Sequence, residues 1–215
     1  MKMEELKFLD KKIINSILQK TDKSKRIKDL KIISFPRLYK YLDKTEIELI
    51  RKFLRLDPLK YGFKGKFLGM KRVPKNLVTI REQYLPKPVY LAFRRMNKAL
   101  EDKTGKKLLI NSGCRSPAYQ AIIFLRYLKL HKFNFLRTVQ RVAFPGYSEH
   151  GDSKRQAVDF IAAKSVPSDE KVSGFEKTKE FKWLLKNANK FGFYLSYPKN
   201  NGYGVIYEPW HWRYH

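Results

Sequence analysis

The chain has 215 residues, which is enough for one domain with a modest helical extension and too few for two full enzyme domains. Hydrophobic residues make up 43% and aromatic residues 14% of the sequence, a composition that excludes a disordered tail. The formal net charge of +27 exceeds what solubility requires. It indicates either an anionic partner or a solvated lysine-rich surface.

The sequence carries few signals of location. Cys114 is the only cysteine, so no intrachain disulfide can form. Residues 1–10 are rich in charge, and no apolar run approaches the ~18 residues that a membrane span requires. We therefore expect no secretion signal and no membrane span, and a protein that acts in the cytoplasm or at the cell wall after release.

The first part of the chain is predicted to be a helical extension. Helical periodicity occurs in residues 6–18 and 45–56, and a turn at Ser34, Phe35 and Pro36 separates the two stretches. Residues 61–74 are rich in Gly, Lys and Pro, as in a linker or surface arm. The predicted organisation is a helical extension with a basic linker over residues 1–75 and a main domain over residues 76–215.

The main domain is predicted to be α+β, with a terminal hairpin. Ser116 as N-cap and Pro117 at the first helical position give a strong helix start. Asn200, Asn201 and Gly202 are typical of a hairpin turn. The predicted helices are residues 89–102, the one opening at 116–117, and 175–190; the predicted strands are 108–111, 156–162, 193–197 and 205–214.

Residues suited to metal binding concentrate in the short segments 112–116, 145–159 and 208–211. A hydrolytic zinc site uses three ligands from His, Asp or Glu and leaves a fourth position open. The sequence can meet this requirement with His150, Asp159 and His211. A lone histidine is more often a core or surface residue than a metal ligand. The zinc-site hypothesis therefore depends on the three residues occurring together.

Hydrolysis also needs a carboxylate that is not a ligand, to move a proton from water to the leaving amine. Glu208 is the candidate, although a strand-edge carboxylate is the ordinary interpretation. Residues three apart point to opposite faces of a strand, so Glu208 and His211 share a site only if Pro209 bends the chain.

Arg115 is the candidate cation of the site, because it lies between a predicted strand and a helix start. From there its guanidinium would reach a substrate carboxylate or a developing oxyanion. The ordinary interpretation is a surface arginine that begins a helix.

Four segments, in this order, resemble the zinc D-alanyl-D-alanine carboxypeptidase family. That family includes vancomycin-resistance carboxypeptidases and dipeptidases and phage L-alanyl-D-glutamate endolysins. The segments are Ser-Gly-Cys-Arg-Ser-Pro-Ala-Tyr-Gln at 112–120, Pro-Gly-Tyr-Ser-Glu-His at 145–150, Ala-Val-Asp-Phe at 157–160 and Glu-Pro-Trp-His-Trp at 208–212. The resemblance spans roughly residues 85–215 and implies a small antiparallel sheet with flanking helices, as in the hedgehog signalling domain.

The resemblance also implies roles for individual residues. It implies that zinc (Zn2+) is the cofactor, that Glu208 is the catalytic base, and that Arg115 stabilises the carbonyl oxygen or holds the substrate. The implied zinc ligands are His150, Asp159 and His211.

Four further residues are candidates for substrate contact. The resemblance implies this role for Gln120 and Ser148. Tyr147 and Trp210 would form a wall of the pocket, although core packing explains them equally well.

One departure from the family concerns the first two ligands. Eight residues separate His150 from Asp159, where relatives usually have six, so two extra residues must be looped out. The insert is polar and is expected to bulge without moving either ligand. Cys114 stands where a Tyr is common and is expected to open the pocket.

The predicted function is a zinc metallopeptidase that hydrolyses D-amino-acid-containing peptidoglycan stem peptides or their precursors, first of all a D-alanyl-D-alanine carboxypeptidase. Cleavage between L-alanine and D-glutamate, as in endolysins, is the alternative. The non-enzymatic rivals are a basic nucleic-acid-binding protein and a cell-wall-binding protein. Nucleic acid is not favoured, because no recognised binding motif accompanies the charge. Anionic cell-wall polymers are a further expected partner.

Overall fold

The computed structural model describes residues 10–22, 27–70, 73–152, 154–163 and 171–215. These residues form seven α-helices, none of which is long and apolar enough to cross a membrane. The helices are α1 (Lys11–Asp22), α2 (Phe35–Tyr39), α3 (Lys44–Leu54), α4 (Lys87–Thr104), α5 (Pro117–Leu130), α6 (Phe135–Val139) and α7 (Lys179–Asn187). The strands are β1 (Leu77–Ile80), β2 (Gln83–Pro86), β3 (Leu108–Ser112), β4 (Ala157–Ala162), β5 (Phe193–Leu195) and β6 (His211–Tyr214).

The chain divides into two compact units. The first comprises residues 1–72, 116–148 and 202–205, and the second comprises residues 73–115, 149–201 and 206–215. The break at residue 72 lies near the predicted boundary at residue 75, whereas residues 116–148 group with the N-terminal part of the chain. A peptidase domain of residues 76–215 stays a prediction.

The first unit is helical and is built around three phenylalanine rings. Phe53 of α3, Phe124 of α5 and Phe144 lie 4.6–5.3 Å apart, centroid to centroid, and are almost fully buried. The start of α3 is fixed by a capping box, in which Asp43 and Glu46 each accept a hydrogen bond from the other's backbone N–H. Helices α3 and α5 therefore share one core, although they are far apart in sequence.

The predicted linker of residues 61–74 has no regular structure over residues 63–70, as expected. It is nevertheless tied to the first unit, because the N–H groups of Leu68 and Gly69 donate to the carbonyl oxygen of Gly146. A Cβ on Gly146 would lie 2.5 Å from the Phe67 ring, and its φ of +87° also favours glycine. This close approach explains the glycine.

Two predicted helices of the first unit are confirmed and one predicted turn is wrong. The first helix is confirmed from Lys11 onward, while residues 6–9 of that prediction lie outside the described residues; the second is α3. The predicted turn at Ser34, Phe35 and Pro36 is instead the start of α2. Proline suits the first turn of a helix, because its fixed φ is helical and its missing N–H would have no partner there.

The second unit confirms the α+β prediction. Its four-stranded sheet is antiparallel, in the order β3-β4-β6-β5, and β1 and β2 form a separate hairpin. Phe93 of α4 stacks on Phe160 of β4, and Phe181 of α7 contacts Trp212 of β6, so both helices pack on the sheet. Side chains alternate along a strand. Asp159, next to Phe160, therefore projects from the opposite face.

The boundaries of two predicted elements are wrong. The helix at residues 175–190 is interrupted, because the Thr178 side chain caps α7 by accepting from the Phe181 N–H. The terminal strands pair antiparallel, with Phe193 opposite Tyr214, but the second begins only at His211. Residues 196–210 form a long connection instead of a tight hairpin.

The hairpin of β1 and β2 was missed. Its two-residue turn is Arg81 and Glu82, where the usual signal is Asn-Gly or Asp-Gly. Arg81 has a φ of 55°, which a non-glycine residue seldom adopts. The turn therefore had no recognisable sequence signature.

Candidate metal centre

The sheet places Asp159 at the centre of the candidate site. In the strand register, Asp159 of β4 lies opposite Ser112 of β3 and opposite His211 of β6. Residues directly opposite each other project from the same face, so the three side chains form a row. Ser196 extends the row beyond β5, where its N–H donates to the His211 carbonyl oxygen at 3.2 Å.

His150 reaches this row from the short 3-10 helix Glu149–Gly151. Its Nδ1 lies 2.7 Å from the carbonyl oxygen of Gly113, which can only accept, so Nδ1 carries the proton. The Nε2 lone pair then faces Asp159, whose Oδ1 is 3.3 Å away. The backbone of His150 is also held, because its carbonyl oxygen accepts from the Arg115 N–H at 3.0 Å.

The long loop between His150 and Asp159 is closed at its base by Gln156. The amide nitrogen of this almost fully buried side chain donates to the carbonyl oxygens of His150 at 3.1 Å and Ala157 at 2.8 Å. Within the loop, Asp152 accepts from the N–H of Lys154 at 3.0 Å. The longer loop is therefore compatible with two ligands that lie side by side.

The donor atoms of the three predicted ligands converge. Asp159 Oδ1 lies 3.0 Å from His211 Nδ1 and 3.3 Å from His150 Nε2, and one donor atom from each residue lies within 4.8 Å of the others. All three residues are buried. Two imidazole nitrogens and one carboxylate oxygen are a donor set that zinc accepts in hydrolytic sites, so these residues fit a zinc ion.

Hydrogen bonds between charged groups link His211 to Asp159 and to Glu149. Burial lowers the pKa of His211, but hydrogen bonds to Asp159 and Glu149 outweigh it and raise the pKa to about 10. Burial, with help from Arg115, lowers the pKa of His150 to about 4. Burial would raise the pKa of Asp159, yet both histidines bring it well below its usual range. Because a metal ligand must be deprotonated, zinc binding by His211 would release a proton from the nitrogen that binds the metal.

Glu208 lies beside the cluster and is not one of its three members. Its Oε2 is 3.8 Å from His211 Nδ1, and its side chain is 12% exposed. Burial, reinforced by Asp159, raises the pKa of Glu208 to about 7. Pro209 occupies a turn before β6, in which the His211 N–H donates to the Glu208 carbonyl oxygen at 3.1 Å. This turn brings Glu208 and His211 together, so the two do not share a regular strand.

Arg115 contacts the candidate ligand Asp159 directly. One terminal nitrogen donates to Asp159 Oδ2 at 3.1 Å, and Nε donates to the Ser112 hydroxyl at 2.8 Å. The guanidinium thus binds the carboxylate oxygen that faces away from the histidines. Its action on substrate stays a prediction.

The predicted substrate-contacting residues fall into both units. Gln120, Tyr147 and Ser148 belong to the first unit, in which the Gln120 amide donates to a backbone carbonyl and the Tyr147 ring contacts phenylalanine rings. Trp210 belongs to the second unit and packs against its hydrophobic core. Their contact with substrate stays a prediction.

Sequence reasoning missed Glu149 and Ser196. Glu149 Oε2 accepts hydrogen bonds from His211 Nε2 at 3.0 Å and from the Ser196 hydroxyl at 2.5 Å. A signal for Glu149 existed, because it ends a run, residues 103–148, that contains no Asp or Glu, and it precedes a predicted ligand. The sequence contained no signal for Ser196, since its position near the site depends on the pairing of β5 with β6.

Two sequence comparisons find relatives of this chain. The sequence profile of the VanY family, described as D-alanyl-D-alanine carboxypeptidase, matches residues 82–215. The chain is 36% identical over 137 residues to the carboxypeptidase-type protein YodJ of Bacillus subtilis, covering 63% of this chain and 48% of YodJ. The chain spans half or less of the length of the curated relatives that it matches.

Two solved structures share the fold. The LD-carboxypeptidase LdcB, described with its peptidoglycan recognition, is 28% identical, with a TM-score of 0.55 over 69% of this chain and 74% of LdcB. A mutant of the vancomycin-resistance D,D-pentapeptidase VanY, in complex with Zn(II), is 24% identical, with a TM-score of 0.53 over 69% of this chain and 86% of VanY. At that identity the likeness to VanY concerns the fold alone.

Proposed function

Because the chain belongs to the VanY D-alanyl-D-alanine carboxypeptidase family, we propose that it is a zinc-dependent peptidase that removes the terminal D-alanine of peptidoglycan peptides. The observation that carries the proposal is the convergence of donor atoms from His150, Asp159 and His211 within 4.8 Å. A largely buried carboxylate, Glu208, lies next to this cluster. Ligands and a separate proton carrier are the two parts that metal-assisted hydrolysis requires.

The roles of the side chains follow from their positions. His150, Asp159 and His211 would hold zinc, which when bound supplies Lewis acidity that activates water and polarises the scissile carbonyl. Glu208 takes the proton from the attacking water and delivers it to the leaving amine. Its raised pKa, about 7, suits a group that must both accept and release a proton near neutral pH, although a bound cation would lower that pKa.

Arg115 would act in two ways. Its hydrogen bonds to Asp159 and Ser112 hold the carboxylate of one ligand in place. The guanidinium also adds positive charge near the site, and this charge would stabilise the oxyanion that develops on the carbonyl oxygen.

The bond that is cut can be identified with two defined stem peptides, a pentapeptide and a tetrapeptide. We expect a stem pentapeptide that ends in D-alanyl-D-alanine to lose one D-alanine, with the tetrapeptide as the product seen by mass spectrometry. Release of D-alanine from the tetrapeptide alone would indicate an LD-carboxypeptidase, and separation of L-alanine from D-glutamate would indicate an endolysin. Absence of cleavage of both peptides by the zinc-loaded chain would contradict the proposal.

The basic surface favours a second partner, an anionic wall polymer. Residues 103–148 contain nine Lys and Arg and no Asp or Glu. Four of them are exposed in the first unit, at the end of α5 and around α6. We define these four as the basic corner: Lys129, Lys132, Arg137 and Arg141. Clustered charge of one sign attracts polyanions such as phosphodiester polymers.

Neutralising the basic corner with four glutamines should weaken binding to walls that carry anionic polymer by at least about tenfold at low salt, since several charge contacts are lost together. The matched control neutralises four lysines of the second unit, Lys103, Lys106, Lys182 and Lys186, and should change binding little. Sedimentation with walls before and after chemical removal of the polymer measures this. Equal losses in both variants would show that only net charge matters.

A further inference from the structure

Glu149 occupies an unusual place beside the metal centre. Its backbone belongs to the same short 3-10 helix as the candidate ligand His150, yet its carboxylate meets His211, 62 residues further along the chain. Oε2 accepts two hydrogen bonds, from His211 Nε2 at 3.0 Å and from the Ser196 hydroxyl at 2.5 Å. Oε1 lies 3.8 Å from an Arg213 guanidinium nitrogen. Besides His211, the side chains of Ser196 and Arg213 therefore fix the position of this carboxylate.

These contacts make the two ring nitrogens of His211 unequal. Nδ1 faces Asp159 Oδ1 at 3.0 Å, inside the ligand cluster, and Nε2 faces Glu149 outside it. An imidazole that keeps its proton on Nε2, because a carboxylate accepts it there, offers Nδ1 as the metal donor. The Tyr197 ring, 4.9 Å from the imidazole centroid, restricts rotation of the ring further.

We propose that Glu149 is a positioning residue that holds the Nε2–H of His211 and so presents Nδ1 to the metal. The inference rests on the proposed zinc peptidase function, because it concerns binding of the zinc ion. The proposed role also links two candidate zinc ligands that are distant in sequence, His150 and His211. The turn that supplies the ligand His150 also orients the ligand His211, while Ser196 and Arg213 anchor the carboxylate between them.

Zinc affinity of the purified chain tests this role without reliance on turnover. Loss of a carboxylate that orients a metal-binding histidine typically costs about 10–100-fold in metal affinity, and we expect that loss for Glu149→Ala in a chelator competition. Glu149→Gln keeps an oxygen that accepts from Nε2, so it should lose less zinc affinity than Glu149→Ala. The control is Glu101→Ala, which removes a partly exposed carboxylate paired with Lys107 and should leave zinc affinity unchanged.

The outcomes separate this inference from the proposed function. Unchanged zinc affinity in Glu149→Ala, with zinc bound normally by the original chain, would overturn the role of Glu149 alone. Equal losses in the Ala and Gln variants would also overturn it, because acceptor geometry would then not matter. Failure of the original chain to bind zinc would contradict the proposed function itself. Circular dichroism of the zinc-free variants shows whether each is folded.

Discussion

Replacing Glu208 by glutamine is expected to lower turnover of a D-alanyl-D-alanine peptide by about 10²–10⁴-fold, the contribution typical of a positioned acid–base group. Glutamine has the size of glutamate but cannot take a proton from water. Zinc content should stay near one per chain, because Glu208 is not among the three converging ligands. Elemental analysis and initial rates on the same preparation measure both quantities.

The same experiment separates catalysis from general loss of charge. Glu101→Gln removes a partly exposed carboxylate from α4 and should retain full turnover. Turnover that survives in Glu208→Gln, or in Glu208→Ala, would remove Glu208 as the base. Glu149 would then be the next carboxylate to test, since it lies 3.0 Å from the other nitrogen of His211.

Replacing His211 by alanine is expected to abolish both zinc binding and turnover. The variant keeps only two of the three donor atoms, and the affinity loss should exceed the ~100-fold that marks the loss of an outer hydrogen-bonding partner. Asp159 and Glu149 would also lose the imidazole between them. Leaving a buried charge without its partner costs about 3–5 kcal/mol, so we also expect a lower melting temperature.

His215 supplies the matched control for this variant. It is the exposed last residue of the chain and hydrogen-bonds to Arg213, so His215→Ala should retain zinc and turnover. His150→Ala, on a different segment, should reproduce the loss of zinc if the ligand set is correct. Zinc retained by the folded His211→Ala protein would contradict the assignment of His211 as a ligand.

The candidate site could be predicted further than the fold around it. Its residue types are distinctive and occur in short segments, so His150, Asp159, His211 and Glu208 could be selected from the sequence. What brings them together is the register of β3, β4 and β6, and residue order alone does not give that register. The structure brings these residues together, and their chemical roles remain predictions for the experiments above.

The missed features have physical reasons. Arg81 takes a left-handed conformation in a turn without glycine, so the first hairpin had no signature. Thr178 caps a helix within a stretch that reads as one continuous amphipathic pattern. Ser196 reaches the site only because β5 pairs with β6. Each depends on a tertiary contact or an uncommon backbone angle, which local patterns do not encode.

The measurement that tests the central claim most directly is the zinc content of the purified chain, followed by cleavage of a stem pentapeptide by the same sample with and without chelator. We predict about one zinc per chain, because His150, Asp159 and His211 form a single cluster of three ligands. Cleavage should stop when the chelator is added and return when zinc is restored. No zinc after supplementation, or cleavage that the chelator does not affect, would contradict the account.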